Sequence, residues 1–224
     1  MDIQEFYETF PYPPRDPSAP VPAPAVPSDF VTVNHYVFGG RWSRSALFRV
    51  LVAGCGTGLA STAFAGQLVK LGVPFSMLCI DVSETSLGIA RDRAEVAGLS
   101  KTMEFQRRGI ETLEAETDGS FDYIDLTGVV NHVEDPVKIL AFLSHVLAEP
   151  GGIGVMAYGR LGRTGIYPIQ DALARLGLTT KDDIPAARAL LRTLPETNWL
   201  RRNPILADSD KVSDVEFADR FFNP

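Results

Sequence analysis

The stretch LVAGCGTGLAS, residues 51–61, constrains this chain more than any other. An apolar run breaks into glycines at every second position, Gly54, Gly56 and Gly58, and the sequence then turns small and helix-favouring. Glycine adopts positive φ at little steric cost and leaves room for a ligand beside the backbone. The first amides of the helix that follows have no partner inside it. A strand, a bare turn and a helix in that order therefore predict a nucleotide-cofactor site at the carboxyl end of the strand.

Around this turn strands and helices alternate. RVLVAG reads as a buried strand, LASTAFAGQLVKLG as a helix ending at Gly72, and FSMLCIDV as a second buried strand. Ser83 is expected to cap a helix through ETSLGIARDRAEVAGL, with Leu87, Ala90, Ala94 and Ala97 facing inward. MEFQRRG is a third, partly exposed strand and FDYIDLTG a fourth. Asp135-Pro136 opens the next helix, whose Val137, Leu140, Phe142, Leu143, Val146 and Leu147 form a broad apolar face. Pro150-Gly151-Gly152 is read as the stop of that helix, and GIGVMAYG as a fifth strand. Strands that are apolar throughout indicate a parallel sheet covered on both faces. The expected fold is α/β and doubly wound, with its ligand at the switch point beside the first strand.

Spacing selects the cofactor. The dinucleotide fingerprint places its third glycine three residues after the second. That position is Leu59 here, and Gly58 comes early, which counts against a nicotinamide-dependent oxidoreductase. G-C-G-T-G resembles motif I of the class I S-adenosylmethionine-dependent methyltransferases, a family with a Rossmann-like core. The second strand ends in Asp81, where a carboxylate can accept charge-assisted hydrogen bonds from both ribose hydroxyls. The resemblance extends over roughly Val50 to Gly165, through FDYIDLTGVVNHVEDP, which looks like the segment flanking the methionine portion, and LAEPGGIGVMAYG.

The resemblance implies an S-adenosylmethionine cofactor contacted by Gly54, Cys55, Gly56, Gly58, Asp81 and Val82. It places Gly109 and Ile110 at the adenine, and Thr127 and Gly128 at the methionine end. Two departures stand out. Gly109 occupies a position where the family often has an acid, and Val52 stands two residues before Gly54, where many members have another. The family sheet usually closes with two further strands, whereas beyond Gly159 the sequence shows helical patterns, GIYPIQDALARLGL and AARALLRTL, and a polar end, VSDVEFADRFFNP. Either the chain is a shortened form or its closing strands are absent.

Methyl transfer from a sulfonium is an in-line displacement, so alignment and exclusion of water dominate catalysis. A base is needed only for an acceptor that stays protonated. His132 is the candidate catalytic residue, since a neutral imidazole accepts a proton near pH 7; its other reading is a cap for the following helix. Asn131, Tyr158, Arg160 and Tyr167 are the candidate acceptor contacts. A domain that binds the cofactor or a partner without turnover is the alternative function.

Composition sets the outer limits. The net charge of -7 argues against a general nucleic-acid partner, and Arg201-Arg202 reads as a solvated pair. No stretch approaches the roughly 20 apolar residues of a membrane span. The acidic N-terminus lacks the order of a secretion signal, so a cytoplasmic protein is expected. Cys55 and Cys79 read as small buried thiols with no metal spacing. Eight prolines in residues 11–27 dictate an extended arm. Before it, Ile3, Phe6, Tyr7 and Phe10 share a helical face that is expected to pack on the domain surface. The expected layout is an aromatic and proline-rich extension over 1–45, a cofactor-binding core over 46–160 and a mainly helical segment on the acceptor side over 161–224. The acceptor and the oligomeric state are not specified by these features.

Overall fold

The computed structural model describes residues 2–43 and 45–223. The chain divides into two units, residues 15–157 and residues 1–14 with 158–224. The first helix, α1 (Ile3–Thr9), belongs to the second of these and is described with it.

The 15–157 unit begins with the proline-rich arm, which carries neither helix nor strand up to Asp29. Next comes α2 (Phe30–Phe38), a helix that the sequence pattern does not announce. The Asp29 carboxylate accepts from the Thr32 amide at its start, and Gly39 closes it at a φ of 60°. Phe30, Val33 and Phe38 bury its inner face. The chain continues through β1 (Phe48–Ala53), α3 (Leu59–Leu71), β2 (Phe75–Asp81), α4 (Glu84–Val96), β3 (Met103–Arg107), α5 (Ala115–Asp118), β4 (Phe121–Thr127), α6 (Pro136–Ser144) and β5 (Leu147–Met156). Local chemistry sets several of these ends. Gly72 closes α3 at a φ of 68°, the Ser83 hydroxyl accepts from the Ser86 amide to start α4, and Asp135 caps α6.

The five strands pair in the order β3-β2-β1-β4-β5, every pair parallel. Side chains alternate across the sheet. Phe48, Val50, Val52, Met77 and Cys79 pack with α2 and α3 on one face, while Leu51, Ala53, Ile80, Ile124 and Leu126 pack with Leu143 and Val146 on the other. The unit is thus a doubly wound α/β sheet with helices on both faces. Its order reverses between β1 and β4, the switch point at which such sheets bind ligands.

Three local expectations are corrected. Ala97 is exposed at the C-cap of α4, and the inward position of that last turn is taken by Arg93. α6 ends at Ser144, before Pro150; of its expected apolar face Leu143 is buried and Leu140 and Phe142 are half-buried against the core, Val146 and Leu147 pack there from beyond the helix end, and Val137 is 77% exposed. Pro150-Gly151-Gly152 lies inside β5, where Phe121 pairs with Leu147 but Tyr123 pairs with Gly152, so β5 bulges. Close approach explains the glycines: a Cβ on Gly152 would lie 2.6 Å from Val37 Cγ2, and one on Gly154 would collide with the Tyr123 hydroxyl.

In the other unit α1 packs with α7 (Tyr167–Arg175), α8 (Ile184–Arg192), α9 (Trp199–Arg202) and α10 (Asp214–Phe221). Phe6 and Phe10 of the N-terminal segment are fully buried among Ile169, Leu173, Leu191, Phe217 and Phe221. The aromatic face expected on a domain surface is therefore part of a core. The polar end folds as α10, started by a reciprocal cap in which Ser213 and Glu216 satisfy each other's backbone amides. Arg201 is not merely solvated: it donates to the buried Asp210 carboxylate at 2.9 Å and to the carbonyls of Ala207 and Leu191. Among the described residues no strand follows Met156.

Candidate functional site

The glycine turn stands at the carboxyl end of β1, with Gly54, Gly56 and Gly58 at φ values of 81°, 52° and 77°. The outer two are required by the protein's own packing. A Cβ on Gly54 would collide with Val129 Cγ2, and one on Gly58 would sit 2.7 Å from Ala90 Cβ. Their bareness lets the loop after β4 press on the turn from one side and α4 from the other. The amides of Gly54 and Cys55 both donate to the Ile80 carbonyl, at 2.8 and 3.0 Å, and the Gly58 amide donates to the Cys55 carbonyl at 3.0 Å.

Asp81, at the end of β2, joins this turn directly. Its Oδ2 accepts from the Gly56 amide at 2.8 Å, and its Oδ1 accepts from the Ser83 amide at 3.0 Å. A carboxylate can take about four hydrogen bonds, so being held by amides and receiving ribose hydroxyls are compatible roles. The chemistry of this donor set fits a nucleoside. Val82 follows, its carbonyl accepting from Arg107 Nε at 3.2 Å. Cys55 is half-buried and unoxidised, and its thiol is pushed up from its ordinary range by hydrogen bonding with Cys79 and by burial.

After β4, Gly128 takes a φ of 75° and its amide donates to the Met156 carbonyl at 3.2 Å. Thr127 is half-buried, and a single helical turn, Val130–His132, holds Asn131 and His132, also half-buried. At the end of β3, Gly109 leads into the turn Ile110–Thr112, and the Ile110 side chain is 8% exposed within the second apolar cluster. The structure therefore brings the glycine turn, Asp81-Val82 and the 127–132 loop to the ends of three adjacent strands, β2, β1 and β4, with Gly109-Ile110 one strand further out. Tyr158, Arg160 and Tyr167 belong to the other unit. There the Arg163 guanidinium lies 3.9 Å from the ring centre of Tyr158 and 5.7 Å from that of Tyr167, while Arg160 is exposed. Burial, with Asp219 nearby, raises the Tyr158 hydroxyl above its ordinary pKa.

In the 15–157 unit, sequence reasoning misses a buried carboxyl and a buried guanidinium. Asp125 is 1% exposed; its Oδ1 accepts from the Thr127 amide at 3.0 Å and its Oδ2 from the Ser28 hydroxyl. Burial pushes this carboxyl up, against the lowering effect of its hydrogen bonds. Its one sequence signal is an acid inside the otherwise apolar strand FDYIDLT. The second group, Arg93, sits behind the turn with no guanidinium surface exposed, and its only sequence mark is a cation at an inward helical position. Among the described residues no group of three His, Cys, Asp or Glu side chains is placed to hold a metal ion, and no helix is long and apolar enough to cross a membrane.

A parallel sheet whose switch point carries a glycine turn, with an acid closing the next strand, defines a Rossmann-like nucleotide-cofactor domain. Residues 45–189 match the family model described as a methyltransferase domain, and the chain belongs to that family. It is 30% identical to an uncharacterized protein of Synechococcus sp. over 99% of this chain and 53% of that protein. It is 31% identical to the ubiquinone biosynthesis O-methyltransferase of Azotobacter vinelandii over 46% of this chain and 41% of that enzyme. Among solved structures it resembles PKMT2 of Rickettsia typhi in complex with AdoHcy, with a TM-score of 0.58 and 25% identity, covering 79% of this chain and 35% of that one. The chain thus spans about half the length of the relatives it matches.

Proposed function

We propose that this chain is an S-adenosylmethionine-dependent methyltransferase whose acceptor is unidentified, with nucleic acid disfavoured. The observation that carries the reading is the 2.8 Å hydrogen bond from the Gly56 amide to Asp81 Oδ2, which joins the bare turn and the acid into one cradle. Asp81 holds the ribose hydroxyls, and the turn from Gly54 through Cys55, Gly56 and Gly58 gives the nucleoside its close approach to the backbone. Gly109 and Ile110 offer a backbone amide and an apolar flank to the adenine, with Val82 beside them. Thr127 and Gly128 present backbone groups to the methionine end.

S-adenosylmethionine, when bound, supplies a methyl group on a cationic sulfur. The protein's task is then to align an acceptor and keep water away. His132 takes the proton of an acceptor that arrives protonated, and Asn131 orients it. In the other unit Arg160 is exposed beside Tyr158 and Tyr167 in sequence, and its guanidinium suits a carboxylate or phosphate group. The net charge of -7 disfavours nucleic acid. Free thiols and the lack of a long apolar helix among the described residues fit a cytoplasmic setting.

Calorimetric titration with S-adenosylhomocysteine and with NAD tests the cofactor, and methyl release from labelled S-adenosylmethionine over a broad acceptor panel tests turnover. Saturable binding of S-adenosylhomocysteine alone, with methyl release, is expected. Tight NAD binding without a response to S-adenosylmethionine reverses the reading, and binding without turnover makes this a cofactor-binding domain.

A further inference from the structure

Arg93 occupies a core position where an aliphatic side chain would pack without desolvating a charge. Its guanidinium donates not to carboxylates but to three backbone carbonyls: Nε to Thr57 at 3.1 Å, Nη1 to Asp16 at 3.1 Å and Nη2 to Arg15 at 2.8 Å. One edge of the planar fork thus holds the glycine turn and the other holds the start of the proline-rich arm. The consequence for the turn is specific. The peptide between Thr57 and Gly58 is pinned at both ends, its carbonyl by Arg93 and its amide by the Cys55 carbonyl at 3.0 Å. This peptide follows Gly56, which meets Asp81, and ends at Gly58, the N-cap of α3.

The far end of the arm is fastened separately. The Tyr123 hydroxyl donates to the Pro27 carbonyl at 2.9 Å, and Ser28 donates to Asp125. Between these fastenings the arm carries no helix or strand, so its docking rests on few bonds. The fastening at Arg93 is shared with the turn.

We propose that Arg93 is a positioning residue for the cofactor turn and a clasp that couples docking of the arm at residues 15–16 to cofactor binding. A ligand that favours the pinned turn tightens the arm, and loosening the arm weakens the ligand by the same factor, because linkage is reciprocal. The inference rests on the functional reading above, in which the turn receives the nucleoside.

The Arg15–Asp16 peptide bond provides the readout. Arg15 has an exposed side chain, a substrate for trypsin, and its carbonyl, the group a protease attacks, is the one that Arg93 Nη2 holds. Cleavage after Arg15, followed by mass spectrometry, therefore reports opening of the clasp. We expect saturating S-adenosylhomocysteine to slow this cleavage about fivefold or more in the wild type. Arg93→Lys keeps the charge but presents a single ammonium in place of the fork. It is expected to bind S-adenosylhomocysteine about fivefold or more weakly, and to be cut after Arg15 at a rate indifferent to the ligand. A side chain that only stabilised the fold would lower the melting temperature and leave the ligand's protection of Arg15 in place. Wild-type protein that binds S-adenosylhomocysteine yet is cut after Arg15 equally fast with and without it overturns the clasp, and so does wild-type affinity in Arg93→Lys. If that variant does not fold, the wild-type cleavage comparison decides alone. Failure of the wild type to bind S-adenosylhomocysteine in the calorimeter defeats the functional reading itself, and the coupling with it.

Discussion

Gly58 and Ala90 are packed so closely that a methyl group on the glycine would lie 2.7 Å from the alanine Cβ, at a backbone φ of 77°. Gly58→Ala therefore meets both a left-handed backbone and an occupied volume. The two effects are expected to cost about 2–4 kcal/mol of stability in a denaturant titration. Adding Ala90→Gly should restore part of the packing share, because the backbone Cα of residue 90 still lies 3.0 Å away, less the roughly 1 kcal/mol that glycine costs inside a helix. A single variant as stable as the wild type would refute this packing of the turn.

Asp81→Ala should weaken S-adenosylhomocysteine binding by about 1.5–3 kcal/mol, the loss expected for hydrogen bonds to a charged acceptor. Isothermal calorimetry measures it, and an unchanged affinity removes Asp81 from the site.

Asp125 gives a pH dependence of known sign. Burial raises its pKa, so the folded chain keeps a proton that the unfolded chain has released. Its contribution to stability is complete below the ordinary carboxylate pKa of about 4 and declines as the pH rises through the folded value. Asp125→Asn lacks this slope. Urea titrations from about pH 4 to 7 should show the difference between variant and wild type moving in the variant's favour as the pH rises. A constant difference would mean that the carboxyl titrates in the fold as it does in the unfolded chain.

Asp210 separates two arginines. Burial pushes its pKa up, but hydrogen bonds and charge from Arg201 more than offset this and hold it below the usual range. The Arg201 side chain is 20% exposed and lies at 2.9 Å, whereas that of Arg192 is 63% exposed and lies at 3.4 Å. Removing Arg201 leaves a buried charge and two carbonyls without their donor, a loss of about 3–5 kcal/mol. Arg192→Ala should cost under about 1 kcal/mol, as exposed pairs do. Chemical denaturation of both variants checks the ranking.

Features decided within a few residues of chain are legible in the amino-acid order alone. Gly72 and Ser83 end and begin their helices where propensity and capping place them, and Asp135-Pro136 does the same for α6. The apolar strands, the glycine turn and the acid closing β2 locate the switch point. The helix over 30–38 is not legible in this way, because its local signals, an aspartate cap and a closing glycine, lie among prolines and glycines that also mark loops.

The sequence by itself determined the alternation of strands and helices, the helix ends and the glycine turn, because these depend on φ preferences and on caps three or four residues away. Only the tertiary structure decided that Arg93 rather than Ala97 faces inward, since its acceptors lie 36, 77 and 78 residues away along the chain. The same holds for Asp125, whose partner Ser28 is 97 residues distant, and for Gly152, which is bare because Val37 packs against it. Burial of a charge and closeness of two backbones are set by elements remote in sequence, so no local pattern announces them.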